Sequence, residues 1–158
     1  MSLHIVFVEP QIPPNTGNIA RTCAATGTVL HLVEPLGFSI DDKSLKRAGL
    51  DYWPFVKLEV HASLDAFMEK YGNGDHRLFL ATTKGGHVYA DVEYRDGDMF
   101  LFGKETAGLP ADFIEEHKET AIRIPMSADT RLRSFNLANS ANIILFEALR
   151  QLNFPGLK

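Results

Sequence analysis

Along the chain, short uninterrupted apolar runs alternate with segments whose apolar positions recur every three to four residues. The first pattern suits a strand buried on both faces, and the second a helix with one buried stripe. His4–Val8 (HIVFV) and Val29–Val33 read as strands, as do Phe55–Val60, Leu78–Thr82, Met99–Phe102 and Ala121–Ile124. After the first strand, Pro10, Pro13 and Pro14 predict an extended loop, because proline fixes φ and lacks a donor. Asn15 or Thr16 is placed to cap the helix that follows, and Gly27 to end it. Asp41–Ala48 reads as a short basic helix or turn, and Ser63 opens a helix that stops near Gly72. Pro110 suits the first turn of a helix containing Asp112 to His117. The clearest element is the last: Leu137, Ala141, Ile144, Leu145, Ala148, Leu149 and Leu152 share one helical face, and Pro155-Gly156 stops the run. That stripe either covers the sheet, the default, or is buried against a second subunit. The alternation predicts an α/β fold with a mostly parallel sheet and helices on both faces. No repeat, low-complexity tract or linker divides the chain, so a single domain over 1–158 is expected.

Composition narrows the function. At 158 residues, 45% hydrophobic and 23% charged, the chain has the makeup of a globular protein that folds without staples. No apolar run approaches the ~20 residues of a membrane helix, and MSLHIVFVEP lacks the basic start of a signal peptide. Cys23 is the single cysteine, which excludes an internal disulfide and fits a reducing, cytoplasmic setting. Neither Cys23 nor the six histidines show metal-ligand spacing, so no metal is expected. The net charge of −4 argues weakly against nucleic acid. It is unevenly spread, however. Residues 91–119 hold nine acids against three bases, a net −6, which leaves +2 on the rest and room for a basic face.

Several common chemistries fail on their motifs. GKETAG (103–108) has P-loop glycine spacing, but Leu109-Pro110 stands where Lys-Ser/Thr must follow. No GxGxxG follows the first strand, and no nucleophile elbow is present. Three polar clusters remain: NTGNIAR (15–21), FGKETAGLP (102–110), and the stretch from IPM (124–126) to RSFNL (133–137). Each follows a strand or joins a strand to a helix, where open α/β sheets gather ligands. Their glycines and prolines expose backbone N–H and C=O groups suited to an adenine edge or a ribose. Each also has a plain structural reading. Asn15, Thr16, Ser134 and Asn136 serve as helix caps, and Gly103 and Gly108 as turn formers.

Together these clusters resemble the three signature motifs of the SPOUT methyltransferases, and specifically the small bacterial tRNA (cytidine/uridine-34 2′-O)-methyltransferases. The likeness covers nearly the whole chain, through IVFVEPQIPPNTGNIARTCAATG, HLVEPLGF, DDKSLKRAGLDYW, LATTKG, FGKETAGLP, IRIPM and RSFNLANSANIILFEALRQLNFPG. Two departures stand out: the segment between Met126 and Arg133 is longer than in close relatives, and Phe146 replaces a frequent tyrosine. The resemblance implies a C-terminal deep trefoil knot, against the general scarcity of knots. It implies S-adenosyl-L-methionine (AdoMet) bound by Ala81, Gly103, Ile124 and Ser134, with Glu105, Met126 and Leu137 nearby. A homodimer is implied, with its interface on the first and last helices.

The implied reaction is methyl transfer to the ribose 2′-OH of the tRNA wobble nucleotide, with leucine tRNAs as the expected substrates. In-line displacement needs aligned reactants and help for the 2′-oxygen. Arg21 matches the family's motif-one arginine, with Asn15 holding Arg21 or its loop. A guanidinium is not deprotonated in proteins, so Arg21 is expected to orient phosphate and stabilise oxyanion charge. Ser134 and Asn136 are candidates for orienting the ribose or the methionine end. Arg21, Lys43, Lys46, Arg47, Lys84, Arg131 and Arg133 are the expected phosphate contacts, on a loop such as the anticodon stem-loop. A ribosomal RNA substrate and a catalytically silent AdoMet- or RNA-binding module are the alternatives.

Overall fold

The computed structural model describes residues 2–158 apart from 42, 44, 46, 48–51, 133 and 134, and apart from the side chain of Thr130. In chain order the strands are β1 (His4–Val8), β2 (Val29–Val33), β3 (Lys57–His61), β4 (Leu78–Ala81), β5 (His87–Val88), β6 (Met99–Phe102) and β7 (Ala121–Arg123). The longer helices are α1 (Pro13–Thr26), α2 (Leu64–Tyr71), α3 (Ala111–Glu116) and α4 (Leu137–Gln151). The seven strands form one sheet in the order β3-β2-β1-β6-β4-β7-β5, and every pairing is parallel. In β1 all five residues are buried, as its unbroken apolar run requires.

Alternation along the strands separates two cores. Ile5, Phe7, Leu30, Leu32 and Phe100 face α1 and α4, meeting Ile19, Ala20 and Cys23 from the first and Ala141, Ile144, Leu145, Ala148 and Leu149 from the second. Val6, Val8, Val33, Leu80, Met99 and Leu101 face the other way, onto Phe67 and Tyr71 of α2 and Phe113 of α3. The terminal helix therefore spends its apolar stripe on the sheet and α1. At about 1.5–3 kcal/mol for each large side chain buried, that stripe is a main support of the fold.

Some element edges differ from the sequence expectation for identifiable reasons. Pro13 and Pro14 open α1 rather than lying in an extended loop, because first-turn residues have no helical partner for an N–H and proline loses nothing there. Ile12 precedes the helix, and Asn15 and Thr16 are buried inside its first turn instead of capping it. Gly27 does end the helix, in the left-handed conformation at φ 73°. Phe55 belongs to a 3₁₀ turn, so β3 starts at Lys57. Lys43, Leu45 and Arg47, the described part of 41–48 after Asp41, are helical. Ser63 caps α2 through its Oγ, which accepts from the Ala66 N–H at 3.0 Å. The two-residue β5 has no apolar pattern and goes unseen in the sequence.

Candidate functional site

The carboxyl ends of β1, β4, β6 and β7 open into a cavity of about 1290 Å³, above the usual range for small-molecule sites. Its walls come from residues within 8–15, 81–86, 102–118, 121–126 and 135–144. The three polar clusters singled out in the sequence thus meet around one space.

Their convergence has a specific chemical cause. Gly103 and Gly108 make a tight turn closed by the Gly108 N–H donating to the Lys104 carbonyl at 2.8 Å. A Cβ on Gly103 would stand 2.0 Å from the Gly108 carbonyl carbon, and Gly108 sits at φ 72°, so only glycine fits both places. The turn holds Glu105 over the start of α1. Three prolines leave the 10–14 stretch few backbone donors, and Glu105 takes two of them. Its Oε1 accepts from the Gln11 N–H at 2.8 Å and its Oε2 from the Ile12 N–H at 2.9 Å. Oε2 also accepts from Asn15 Nδ2 at 3.0 Å. Thr106 Oγ1 donates to Gln11 Oε1 at 2.8 Å. Asn15 then passes the connection on: its Oδ1 accepts from Asn136 Nδ2 at 2.9 Å, while Asn136 Oδ1 caps α4 by accepting from the Asn139 N–H at 3.2 Å. One carboxylate and two amides tie the three clusters together.

Ala81, Gly103, Glu105, Ile124, Met126 and Leu137 all line the cavity, as does Lys84. Glu105 lines it as a brace, with both oxygens committed to protein donors. Asn15 lines it too and holds the loop rather than Arg21. Arg21 does not line the cavity; it lies exposed on α1, its guanidinium 4.7 Å above the Tyr52 ring. Lys43 and Arg47 are exposed and do not line the cavity. Arg131 is exposed, with its guanidinium paired to Asp129 at 2.7 Å. Ser134, Arg133 and Lys46 lie outside the described residues. The sequence reading missed Lys104, Lys118 and Arg123, which also line the cavity. Lys104 was hidden inside a motif read for its glycines. Lys118 and Arg123 become neighbours of the cavity only through the β7 crossover. Apolar walls beside bases and backbone ends suit a ligand that is part heterocycle and part polar, such as a nucleoside derivative.

An all-parallel α/β sheet with such a site defines a class of binder for nucleoside-like ligands, without the motifs of an NTPase, dehydrogenase or hydrolase. Residues 2–146 match the SpoU rRNA Methylase family, and the chain belongs to that family. It is 50% identical over 155 residues to the tRNA (cytidine(34)-2′-O)-methyltransferase of Escherichia coli K12, covering 98% of this chain and 96% of the relative. A solved structure from work on 2-OH methylation of C/U34 on tRNA superposes with a TM-score of 0.87 at 44% identity, covering 96% and 97% of the two chains. The SpoU methyltransferase AviRb from Streptomyces viridochromogenes, in complex with AdoMet, gives a TM-score of 0.84 at 25% identity over 96% of this chain and 61% of that one. Among the described residues, no helix is long and apolar enough to cross a membrane.

Proposed function

We infer that this chain is an AdoMet-dependent RNA methyltransferase that modifies the ribose 2′-OH of nucleotide 34 in tRNA. The observation that carries this reading is the agreement along almost the full chain with tRNA (cytidine(34)-2′-O)-methyltransferases, combined with a cavity built from the matching motifs. The cavity fits AdoMet. Ala81, Ile124, Met126 and Leu137 offer apolar walls, and the 103–108 turn, drawn tight on itself because Gly103 admits no Cβ, sets a backbone edge beside them. In this reading the single domain carries the knot, supported by β7 lying between β4 and the earlier β5.

AdoMet supplies an electrophilic methyl group on a sulfonium. The chain's own task is alignment, since methyl transfer to a hydroxyl depends on in-line approach. Ser134 and Asn136 orient the bound molecules, and Asn136 is itself held by Asn15. Arg21 orients the target phosphate and stabilises charge on the 2′-oxygen. Because Arg21 points away from its own cavity, the reading places it over the cavity of a second copy in a homodimer. Phe146 on α4 and Phe154 just beyond it, 45% and 40% exposed, supply apolar surface for that contact. Lys84 and Arg47, with Lys46, Arg131 and Arg133, meet the backbone of the anticodon stem-loop, and leucine tRNAs in the cytoplasm are the proposed substrates.

The test is incubation of the protein with labelled AdoMet and unmodified tRNA, followed by nucleoside mapping. Label at the 2′-O of nucleotide 34 is expected. The family description favours a second reading on ribosomal RNA, which label on that RNA alone would establish. Arg21→Ala should keep the fold and AdoMet binding but lose most turnover, and unchanged turnover would remove Arg21 from the mechanism.

A further inference from the structure

Three histidines from three strands form a buried line that the cavity does not use. His4 begins β1, His31 is central in β2 and His61 ends β3. Register pairs His31 with Glu59 and Val33 with His61. Alternation then puts His4, His31, Glu59 and His61 on the face covered by α2. Phe67 and Tyr71 of α2 stand edge-on to His31 and His61. His4 Nδ1 is 2.8 Å from His31 Nε2, and His31 Nδ1 is 3.0 Å from His61 Nε2. Glu59 Oε2 stands 4.0 Å from His31 Nδ1.

We propose that His31 Nδ1, His61 Nε2 and Glu59 Oε2 form a binding site for a divalent cation of the zinc type, which pins the edge strand β3 to β2. Two imidazoles and a carboxylate are a set that holds zinc with a fourth position left for water. The ligand atoms of these three residues lie within 4.8 Å of one another. Tetrahedral ligands ~2.0–2.1 Å from zinc are about 3.3 Å apart, so the two rings must part by only about 0.3 Å. The carboxylate oxygen, 4.0 Å from His31 Nδ1 and within 4.8 Å of the His61 ligand atom, must approach by up to about 1.5 Å.

The surroundings complete the site. The site uses the tautomer in which His31 Nε2–H donates to His4 Nδ1 across their 2.8 Å contact, leaving His31 Nδ1 bare, the usual support behind a metal-bound histidine. Burial, with the neighbouring imidazoles, holds His4 down to about 4 and His31 down to about 3, so both rings are neutral, as ligation demands. When the ion binds, the His61 proton moves from Nε2 to Nδ1 through solvent. Tyr71 Oη donates to Glu59 Oε2 at 2.5 Å and keeps that carboxylate oriented. Lys70 Nζ occupies the opposite oxygen, Oε1, at 2.6 Å. Its charge opposes the ion, but its side chain is 61% exposed and free to swing out.

The test uses the full-length protein, stripped by a chelator and titrated with Co²⁺ and then Zn²⁺. One Co²⁺ per chain with the visible absorption of a four-coordinate ion is expected, displaced by Zn²⁺, with Tm rising as Zn²⁺ is added. His61→Ala should weaken binding at least tenfold, with folding checked by circular dichroism. Should that variant fail to fold, the part-exposed Glu59→Gln gives the same comparison. Lys70→Met should tighten binding severalfold by removing the opposing charge. The proposal is overturned by no stoichiometric uptake in the wild type. Uptake unmoved in the folded His61→Ala or Glu59→Gln variant overturns it equally.

Discussion

Replacing Glu105 with glutamine probes the brace that joins the first two clusters. The carboxylate accepts from the Gln11 and Ile12 N–H groups and from Asn15 Nδ2. A glutamine amide keeps one accepting oxygen and turns an NH₂ group toward the remaining donors. Asn15 cannot relieve the clash by flipping its amide, because its Oδ1 already accepts from Asn136. Hydrogen bonds to charged groups contribute about 1.5–3 kcal/mol each. The two backbone bonds are solvent-exposed, so water replaces part of that, and we expect a net loss of about 2 kcal/mol. At 1.36 kcal/mol per factor of ten, this is roughly 30-fold in the opening equilibrium of the 11–15 segment. Amide exchange of Gln11 and Ile12, read residue by residue by NMR, should therefore accelerate roughly 30-fold in Glu105→Gln. AdoMet affinity should fall by no more than the same factor, since opening removes one wall of the cavity. Unchanged exchange at both amides would refute the brace and return Glu105 to a direct role with ligand.

Asn136→Ala removes both the cap of α4 and the link to Asn15, and should cost about 1–2 kcal/mol in chemical denaturation; a cost near zero would show that neither bond matters. Asp98 is 2% exposed and accepts from Arg77 Nε and Nη2 at 2.9 and 2.7 Å and from the Arg95 N–H at 2.7 Å. Asp98→Ala leaves those donors unpaired and should cost about 3 kcal/mol, the low end for a broken buried pair because Arg77 is one-third exposed. A loss under about 1 kcal/mol would contradict that account. Gly103→Ala forces a methyl against the backbone of Gly108 and Leu109, so calorimetry should find AdoMet binding weakened at least tenfold. Wild-type affinity would mean that the turn adapts.

Much of this was legible in the sequence where local chemistry decides. HIVFV reads as a doubly buried strand, Gly27 as a helix end and the 137–152 stripe as a helix whose default place is on the sheet, because period and turn chemistry act over a few residues. The three clusters were also visible as unusual, since their glycines, prolines and amides serve no core. Roles set by long-range placement were hidden. Nothing within NTGNIAR says that Asn15 faces Glu105, 90 residues on, while Arg21 turns away from the cavity. The histidine line was equally invisible, because 27 and 30 residues separate its members and only parallel pairing of β1, β2 and β3 sets them side by side. Pro13 and Pro14 were misjudged because the same missing donor that breaks a helix interior suits its first turn.

The cavity walls run from Val8 to Ile144, which has a bearing on biogenesis. A growing polypeptide emerging from the ribosome has no shortened version of this pocket, because its first wall waits for the last helix to be synthesised. A ligand that recognises only the finished fold lends no help to earlier intermediates. Until then the apolar flank awaiting α4 stays open to water, and the burden of avoiding aggregation falls on chaperones or on rapid closure by the C-terminal segment.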